Sequence, residues 1–242
     1  SDLCSHIEYV VFKQENPQEP IRHRTYNIDS GEDFGIVYDT LTAGNYQVCF
    51  LAHSSKDITF SENILSFDEV SDSFYHSENL IVGQNEVTNE YISLKRIIGK
   101  IEFRASDPVP DDIKTFEITV DNYPGCFNIQ TGKGIISSAP YHLSHSFTEE
   151  EKLQSGTSHS FLSFVPDGDT KISVVLTSTD ISYMVMHTRT ISDIFPILNK
   201  TIRYTGVLYT RPQTDEPDNT FQLTIGNNGK WDATEDKELP IE

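Results

Sequence analysis

Residues that favour extended backbone dominate this chain, and residues that favour helices are scarce. Of its 242 residues, 24 are isoleucine, 14 are valine and 22 are threonine, whereas only 5 are alanine. A β-branched side chain fits the pleated surface of a sheet, while alanine is the best helix former and would be far commoner in a helical protein of this length. The residue types alone therefore predict an all-β fold.

Alternation of apolar and polar residues supports that prediction in many separate places. Phe116–Asp121 alternates throughout, and in the first segment Ile7, Tyr9 and Val11 fall on one face. Turn-forming residues separate these short runs, a spacing typical of antiparallel β-sandwiches rather than of a parallel sheet with crossover helices. The stretch 57–70 shows no such pattern and is open between a short helix and an irregular loop.

A long, nearly unbroken extended run marks the predicted domain boundary. Tyr91–Ile101 follows a polar stretch, and one strand of that length can end one sandwich and begin the next. The predicted division gives an N-terminal β-sandwich domain of residues 1–95 and a C-terminal β-sandwich domain of residues 96–242, both of ordinary domain size. No proline- or serine-rich linker separates them, so we expect a fairly rigid tandem pair.

The charge balance and the cysteines exclude several classes of partner and ligand. Asp and Glu outnumber Lys and Arg by 37 to 18, which gives a net charge of −19. Duplex nucleic acid and anionic membrane surfaces both need a basic protein face, so neither is an expected partner. Three cysteines, Cys4, Cys49 and Cys126, allow at most one disulfide and lack the spacing of a zinc site. We expect no metal and no cofactor.

No complete catalytic motif stands in the sequence, so we expect the protein not to be an enzyme. None of the eight histidines lies in an HExxH pattern. The segment 156–160 lacks the second glycine of a Gly-x-Ser-x-Gly nucleophile elbow. Thr131–Gly134 lacks the glycine placement and the Ser/Thr of a phosphate-binding loop, and we interpret it as a hairpin turn.

Several short motifs stand in a set order along the chain. Asp2-Leu3-Cys4 opens it, Leu41–Val48 contains a Gly-x-Tyr-x-Val strand, and Leu94–Ile101 contains a basic pair followed by apolar residues and Lys-Ile. Leu198–Lys200 and a lone tryptophan, Trp231, come later. These motifs and their order resemble those of the fimbrillin and fimbrial-anchor lipoproteins of Bacteroides-type bacteria.

The resemblance implies a fold and a location. Members of that superfamily are built from two transthyretin-like, Greek-key β-sandwich domains in tandem, and they are components of a surface pilus, or fimbria. They are exported as outer-membrane lipoproteins, which are anchored through an acylated cysteine upstream of the mature sequence. This chain opens at Ser1-Asp2 without an export leader, so we expect a mature form from which a targeting segment has been removed.

The same resemblance implies partners and a mechanism. Shaft subunits of such fimbriae polymerise by donor-strand exchange, in which an arginine-specific protease removes the first strand and a strand of a neighbour fills the groove. Anchor subunits keep their first strand, and tip subunits complete the assembly. The implied function is a non-catalytic pilus subunit, or an anchor or tip component, that acts in assembly and adhesion by β-strand complementation with other pilus subunits. The role as shaft, anchor or tip is left open.

Two arginines are candidates for such proteolytic processing. The segment Gln14–Asn27, which follows the predicted first strand Ile7–Lys13, is polar and contains two prolines. Proline cannot donate to a strand ladder, so we expect this segment to loop into solvent, where a protease can reach Arg22 and Arg24. The alternative is that both are ordinary surface arginines of an anchor or tip subunit.

Aromatic residues make up 11% of the chain and raise a second functional hypothesis. Tyr75, Tyr141 and Trp231 lie in or near predicted loops and are the candidate exposed aromatics, since exposed rings can stack on sugars. The competing function is a surface glycan-binding lipoprotein of a polysaccharide-uptake system, with a host or bacterial surface glycan or protein as partner. Core packing is the alternative for these rings. An exposed aromatic platform favours glycan binding, whereas a sheet edge filled by the chain's own first strand favours the pilus component.

Overall fold

The structure is a computed structural model that describes residues 3–30, 33–211, 222–226 and 235–236. The described residues form eighteen strands, and the only helical element among them is a three-residue 3₁₀ turn, Ile28–Ser30. The all-β prediction is therefore confirmed. The strands are β1 His6–Lys13, β2 Asn16–Asn27, β3 Gly44–His53, β4 Ile58–Ser61, β5 Ile64–Phe67, β6 Phe74–Val82, β7 Lys95–Arg96, β8 Ile98–Ala105, β9 Ile113–Asp121, β10 Cys126–Asn128, β11 Lys133–Ile135, β12 Tyr141–Ser146, β13 Ser158–Phe164, β14 Ile172–Asp180, β15 Val185–Ile194, β16 Thr201–Gly206, β17 Gln222–Gly226 and β18 Glu235–Asp236.

The strands form four sheets, which pack as two sandwiches in tandem. In the first sandwich, the five-stranded sheet β2-β1-β3-β6-β7 faces the four-stranded sheet β11-β10-β5-β4. Tyr75 of β6 and Phe127 of β10 meet edge to face between them, with ring centroids 5.1 Å apart. In the second sandwich, β12-β9-β14-β15 faces β13-β8-β16-β17-β18, and Phe116 of β9 stacks on His159 of β13 at 4.3 Å. The predicted tandem of sandwiches is confirmed.

One pairing departs from the expected antiparallel arrangement. β16 runs parallel to β8, with Thr201 opposite Lys100 and Gly206 opposite Ala105. All other ladders between the described strands are antiparallel. Parallel neighbours need a crossover connection, which is usually a helix. Here the strands from β9 to β15 make the crossover, so a parallel pair forms without a helix.

Strands from both halves of the sequence contribute to the first sandwich. β7 belongs to its five-stranded sheet, and β8 begins in the second sandwich after a single intervening residue. The hairpin of β10 and β11 comes later in the chain, yet β10 pairs with β5 and extends the four-stranded sheet of the first sandwich. This hairpin interleaves the two halves of the sequence. The division into residues 1–95 and 96–242 stays a prediction.

The first strand is an interior strand of its sheet, next to the edge strand β2, and is buried on both faces. β1 pairs with β2 on one side and with β3 on the other, and every residue of Ile7–Phe12 is buried. Val10 and Phe12 join the main apolar core. The alternate residues Tyr9 and Val11 face the other way, into a smaller group that we call the outer cluster: Tyr9, Val11, Tyr46 and Val48. A further segment of chain must therefore cover the outer face of this sheet.

None of the three cysteines forms a disulfide. Cys49 is buried, whereas Cys4 and Cys126 are half-buried. The disulfide that the sequence left open is therefore not formed. Across the described ranges, no helix has the length and apolar character that a membrane crossing requires.

Candidate functional site

The two outer edges of the five-stranded sheet are the candidate functional site, because an exposed strand edge is where another chain can add a strand. β2 forms one edge, and β6 forms most of the other, since β7 spans only two residues. The chain's own first strand is not at an edge, which differs from the sheet edge filled by the first strand that was expected of a pilus component. It fills the position between β2 and β3 and bonds to both.

The polar segment after the first strand is itself a strand, and the prediction that Gln14–Asn27 loops into solvent is wrong. β2 covers Asn16–Asn27 and pairs antiparallel with the whole of β1. Proline is tolerated there because an edge strand needs no hydrogen-bond partner on its outer side. The two register shifts of this ladder lie on either side of Phe12, which is opposite Pro20. A polar sequence with prolines is equally typical of a loop and of an exposed edge strand.

Both candidate processing arginines lie within β2 and are bonded to one carboxylate. Arg22 Nη1 lies 2.8 Å from Asp39 Oδ1, and Arg24 Nη2 lies 3.5 Å from the same oxygen. Arg24 Nη1 also donates to the carbonyl oxygen of Tyr38 at 3.2 Å. A protease would therefore meet these side chains engaged in ion pairs and their backbone paired in a strand. Cleavage at either residue stays a prediction.

The β2 edge is protected against a further strand. Pro17 and Pro20 have no N–H to offer. The carbonyl oxygen of Pro17 accepts a hydrogen bond from Gln130 Nε2 at 2.6 Å, and that of Gln18 accepts one from Asn63 Nδ2 at 3.1 Å. Prolines, charged side chains and irregular pairing are the means by which natural sheets block their edges. Strand addition is therefore disfavoured at β2.

The β6 edge is open along most of its length. β6 pairs with β3 on its inner side, whereas β7 pairs only with its first two residues. From His76 to Val82, seven residues, the outer side has no strand partner among the described residues. The connection 83–94, which links β6 to β7, makes no backbone hydrogen bond to this edge. Ile81, near the end of β6, is 76% exposed. This free edge is as long as an average strand.

A buried carboxylate ties the edge strand β2 to the middle of the sheet. Glu8 of β1 is fully buried. Its Oε2 accepts hydrogen bonds from His23 Nε2 at 2.6 Å and Thr25 Oγ1 at 2.9 Å, both on β2, and its Oε1 lies 3.4 Å from His53 Nε2 on β3. Burial by itself raises the pKa of Glu8, but these hydrogen bonds outweigh it and hold the pKa at about 2. No group of three or more His, Cys, Asp or Glu in the described ranges is arranged to hold a metal ion.

Tyr75, one of the candidate exposed aromatics, lies in β6 and links the two sheets of the first sandwich. It is half-buried. Its hydroxyl donates to the carbonyl oxygen of Ile129 at 2.7 Å, and its ring packs against Phe127. Burial raises the pKa of this hydroxyl. The ring is therefore engaged in packing between the sheets rather than presented on a loop.

We expect Tyr75→Phe to lower the free energy of unfolding by about 1 kcal/mol, because the ring stays while the Ile129 carbonyl loses its donor. Urea denaturation measures the difference. The matched control is Tyr91→Phe, since Tyr91 is 97% exposed and should give no change. Equal stabilities of the two variants would contradict the structural role of the Tyr75 hydroxyl.

The other two candidate aromatics do not add an exposed ring to the described structure. Tyr141 begins β12 and stacks on Tyr123, with centroids 4.5 Å apart. Burial, with a smaller contribution from Glu69, raises the pKa of Tyr141 to about 12. Trp231 lies outside the described residues. Tyr75 and Tyr141 therefore form no aromatic platform for a sugar.

Solved structures share this architecture, whereas no family model and no curated protein matches the sequence. Among solved structures, a protein from Bacteroides ovatus described as a "putative adhesin" aligns with a TM-score of 0.59 and 12% identity, over 90% of this chain and 89% of that protein. This chain has the same fold. The resemblance that the sequence motifs showed is thereby confirmed at the level of the fold.

Two further structures are similar over nearly the whole chain. One, from Bacteroides thetaiotaomicron and described among "putative polysaccharide binding proteins", aligns with a TM-score of 0.55 and 12% identity, over 97% of this chain and 90% of that one. The fimbrial anchor protein Mfa2 from Porphyromonas gingivalis aligns with a TM-score of 0.48 and 11% identity, over 96% and 91% respectively. The two of these three alignments that have a TM-score above 0.5 thus show this fold in proteins with different descriptions, one as an adhesin and one as polysaccharide binding.

Proposed function

We propose that this protein is a non-catalytic, cell-surface component of a fimbria, and that it acts in assembly and adhesion by accepting a strand from another pilus subunit. The observation that carries the proposal is the open outer edge of β6 in a sheet whose opposite edge is protected. The fold shared with a protein described as an adhesin supports the surface role.

Strand addition at β6 has a simple physical basis. The outer backbone groups of residues 76–82 have no strand partner in the described structure, so an added strand would supply their hydrogen bonds. Main-chain hydrogen bonds give affinity in this type of recognition, and side-chain contacts give specificity. The exposed side chain of Ile81 provides an apolar cross-strand contact of that kind.

The burial of the first strand supports a subunit that keeps it, as the resembled anchor subunits do. Removal of residues 1–24 would take away β1 and most of β2, and would uncover Cys49 and Leu51 of the main core. Addition at β6 needs no such loss. A cut at Arg22 or Arg24 followed by uptake of a donor strand in place of β1 would instead assign the shaft role.

We expect Ile81→Lys to block strand addition without unfolding the protein. Lysine on an edge strand is one means by which natural proteins prevent pairing with a further strand. Because Ile81 is 76% exposed, the free energy of unfolding should change by less than about 0.5 kcal/mol. In cells that assemble the fimbria, incorporation of the variant should fall roughly tenfold if the lost contact is worth about 1.4 kcal/mol. Ile181→Lys, at a 62% exposed position of the second sandwich, is the matched control.

A photo-crosslinking residue at position 81 tests which molecule reaches this edge. An adduct with another fimbrial subunit, absent when the same residue stands at position 181, is the expected result. Absence of an adduct at position 81, together with normal incorporation of Ile81→Lys, would contradict the proposal. An adduct with a polysaccharide would support the glycan-binding function instead.

A further inference from the structure

The outer face of the five-stranded sheet is covered by residues 33–43, which we call the strap. The strap has no strand pairing, yet its side chains alternate as in a strand. Val37, Asp39 and Leu41 are turned inward and half-buried, while their neighbours are exposed. Val37 and Leu41 pack against the outer cluster. The strap is therefore the segment that keeps this apolar sheet face from solvent.

Asp39 is the single charged side chain on the inward side of the strap, and it connects the strap to two strands. Its side chain is 7% exposed. Asp39 Oδ2 accepts a hydrogen bond from the hydroxyl of Tyr9 on β1 at 3.0 Å. Asp39 Oδ1 lies 2.8 Å from Arg22 and 3.5 Å from Arg24, both on β2. One carboxylate thus meets two guanidinium groups and a buried hydroxyl.

The remaining attachments of the strap are few. It makes no backbone–backbone hydrogen bond to the sheet among the described residues. Apart from Asp39 and the two apolar side chains, two residues hold it. Arg24 donates to the carbonyl oxygen of Tyr38 at 3.2 Å, and the hydroxyl of Tyr46 lies 2.7 Å from the carbonyl oxygen and 3.0 Å from the hydroxyl of Thr42. Segments without ladder hydrogen bonds belong to the low-stability end of a fold and open locally.

We propose that the strap is a latch that opens separately from the rest of the fold, and that the Asp39 carboxylate is the clasp that holds it closed. Opening exposes the outer cluster and releases Arg22 and Arg24 from their ion pairs at the same time. The latch is distinct from strand addition at β6 and does not depend on it. The apolar outer face of the first sheet is therefore exposed only while the strap is open.

The test is the rate at which a thiol reagent labels Val48→Cys, a buried position of the outer cluster, measured by mass spectrometry in the full chain with and without Asp39→Asn. The asparagine keeps the size of the side chain and an acceptor for Tyr9 but removes the charge that faces the two arginines. Hydrogen bonds to charged groups are strong enough that labelling at position 48 should accelerate by about tenfold, while Cys49, which faces the main core, should stay unchanged. Asp57→Asn is the control, because Asp57 is exposed in the same sandwich and makes no ion pair among the described residues.

The double variant Arg22→Gln/Arg24→Gln removes the same ion pairs from the β2 side and decides the matter if Asp39→Asn fails to fold. It should accelerate labelling at position 48 to a similar degree and increase the binding of an apolar dye, because the outer cluster becomes accessible. Native-like labelling at position 48 in the variants overturns the proposal. So does a joint acceleration at position 48 and at Cys49, since the strap would then be part of the cooperative core rather than a latch.

Discussion

Replacement of Asp107 by alanine is expected to lower the free energy of unfolding by about 3 to 5 kcal/mol. Asp107 is buried in the loop that follows β8. Its carboxylate accepts hydrogen bonds from the backbone N–H groups of Leu208, Tyr209 and Thr210 at 2.8 to 2.9 Å, and from the hydroxyl of Thr210 at 2.8 Å. Alanine leaves these donors without an acceptor, and two of them belong to fully buried residues.

The loss should be large because these backbone groups position a central residue of the second sandwich. The Tyr209 side chain is completely buried. Its hydroxyl bonds to His159 Nε2 at 2.8 Å and to Thr157 Oγ1 at 2.7 Å, and its ring meets Phe116 edge to face at 5.6 Å. Without Asp107, the segment after β16 loses the group that holds its backbone against these contacts.

Urea denaturation with matched variants separates this effect from a general loss of charge. Asp107→Asn keeps one acceptor oxygen and should fall between the native protein and Asp107→Ala. Asp112→Ala removes only a half-exposed ion pair with Arg211, 3.1 Å long, and should cost less than about 1 kcal/mol. If Asp107→Ala were no less stable than Asp112→Ala, the buried carboxylate would not be the anchor of residues 208–210.

Strands with one buried face were predictable because the alternation of the sequence and the burial of side chains share one period. In β9, Phe116, Ile118 and Val120 are buried while Glu117 is exposed, in the order in which the sequence alternates. The first strand was also predictable although it is buried on both faces, and its expected extent, Ile7–Lys13, differs from β1 by one residue. The alternation of apolar and polar residues is sufficient to predict a strand wherever the strand packs on one side.

Turn chemistry explains one element that the sequence left open. Residues 57–70 form the hairpin of β4 and β5 rather than a helix or an irregular loop. Its two turn residues, Glu62 and Asn63, have φ values of 49° and 68°. Two successive left-handed residues normally call for Asn-Gly or Asp-Gly, and Glu-Asn does not give that signal. The turn is imposed by the pairing of the strands around it.

Long-range contacts carry most of the candidate site and leave little trace in a single sequence. The pairing of β10 with β5 joins residues about sixty positions apart, and no local pattern encodes it. The bonding of Asp39 to Arg22 and Arg24 is of the same kind. Glu8 did leave a signal, because a lone acid inside the apolar run Ile7–Phe12 is unusual in a buried strand.

Acid is expected to destabilise the first sandwich through Glu8. The pKa of this carboxyl is lowered from 4.5 to about 2 in the folded chain. A carboxyl with a lower pKa in the folded state stabilises the fold at every pH above its unfolded-state value, and the contribution is lost as the pH falls through the folded-state value. The protein should therefore lose about 3 kcal/mol through this group as the pH falls from 4.5 towards 2.

The loss follows from the partners of the carboxylate. Ionised Glu8 accepts hydrogen bonds from His23 and Thr25 on β2 and from His53 on β3, and these outweigh the cost of its burial. A protonated carboxyl gives up part of this acceptor capacity while it stays buried. The attachment of the edge strand β2 should weaken first, because two of the three donors belong to it.

The pH dependence of the free energy of unfolding, measured from pH 5 to pH 2 in the native protein and in Glu8→Gln, isolates the contribution. Glutamine keeps the size of the side chain and cannot titrate. The free energy of unfolding of the native protein, measured relative to that of Glu8→Gln, should therefore fall by about 3 kcal/mol across this range. Glu78→Gln is the control. The carboxylate of Glu78 is half-exposed, and its single ion-pair partner in the described structure is His76 at 3.5 Å. This variant should retain the pH profile of the native protein. Parallel profiles for Glu8→Gln and the native protein would contradict the prediction and assign the acid sensitivity to other carboxyls.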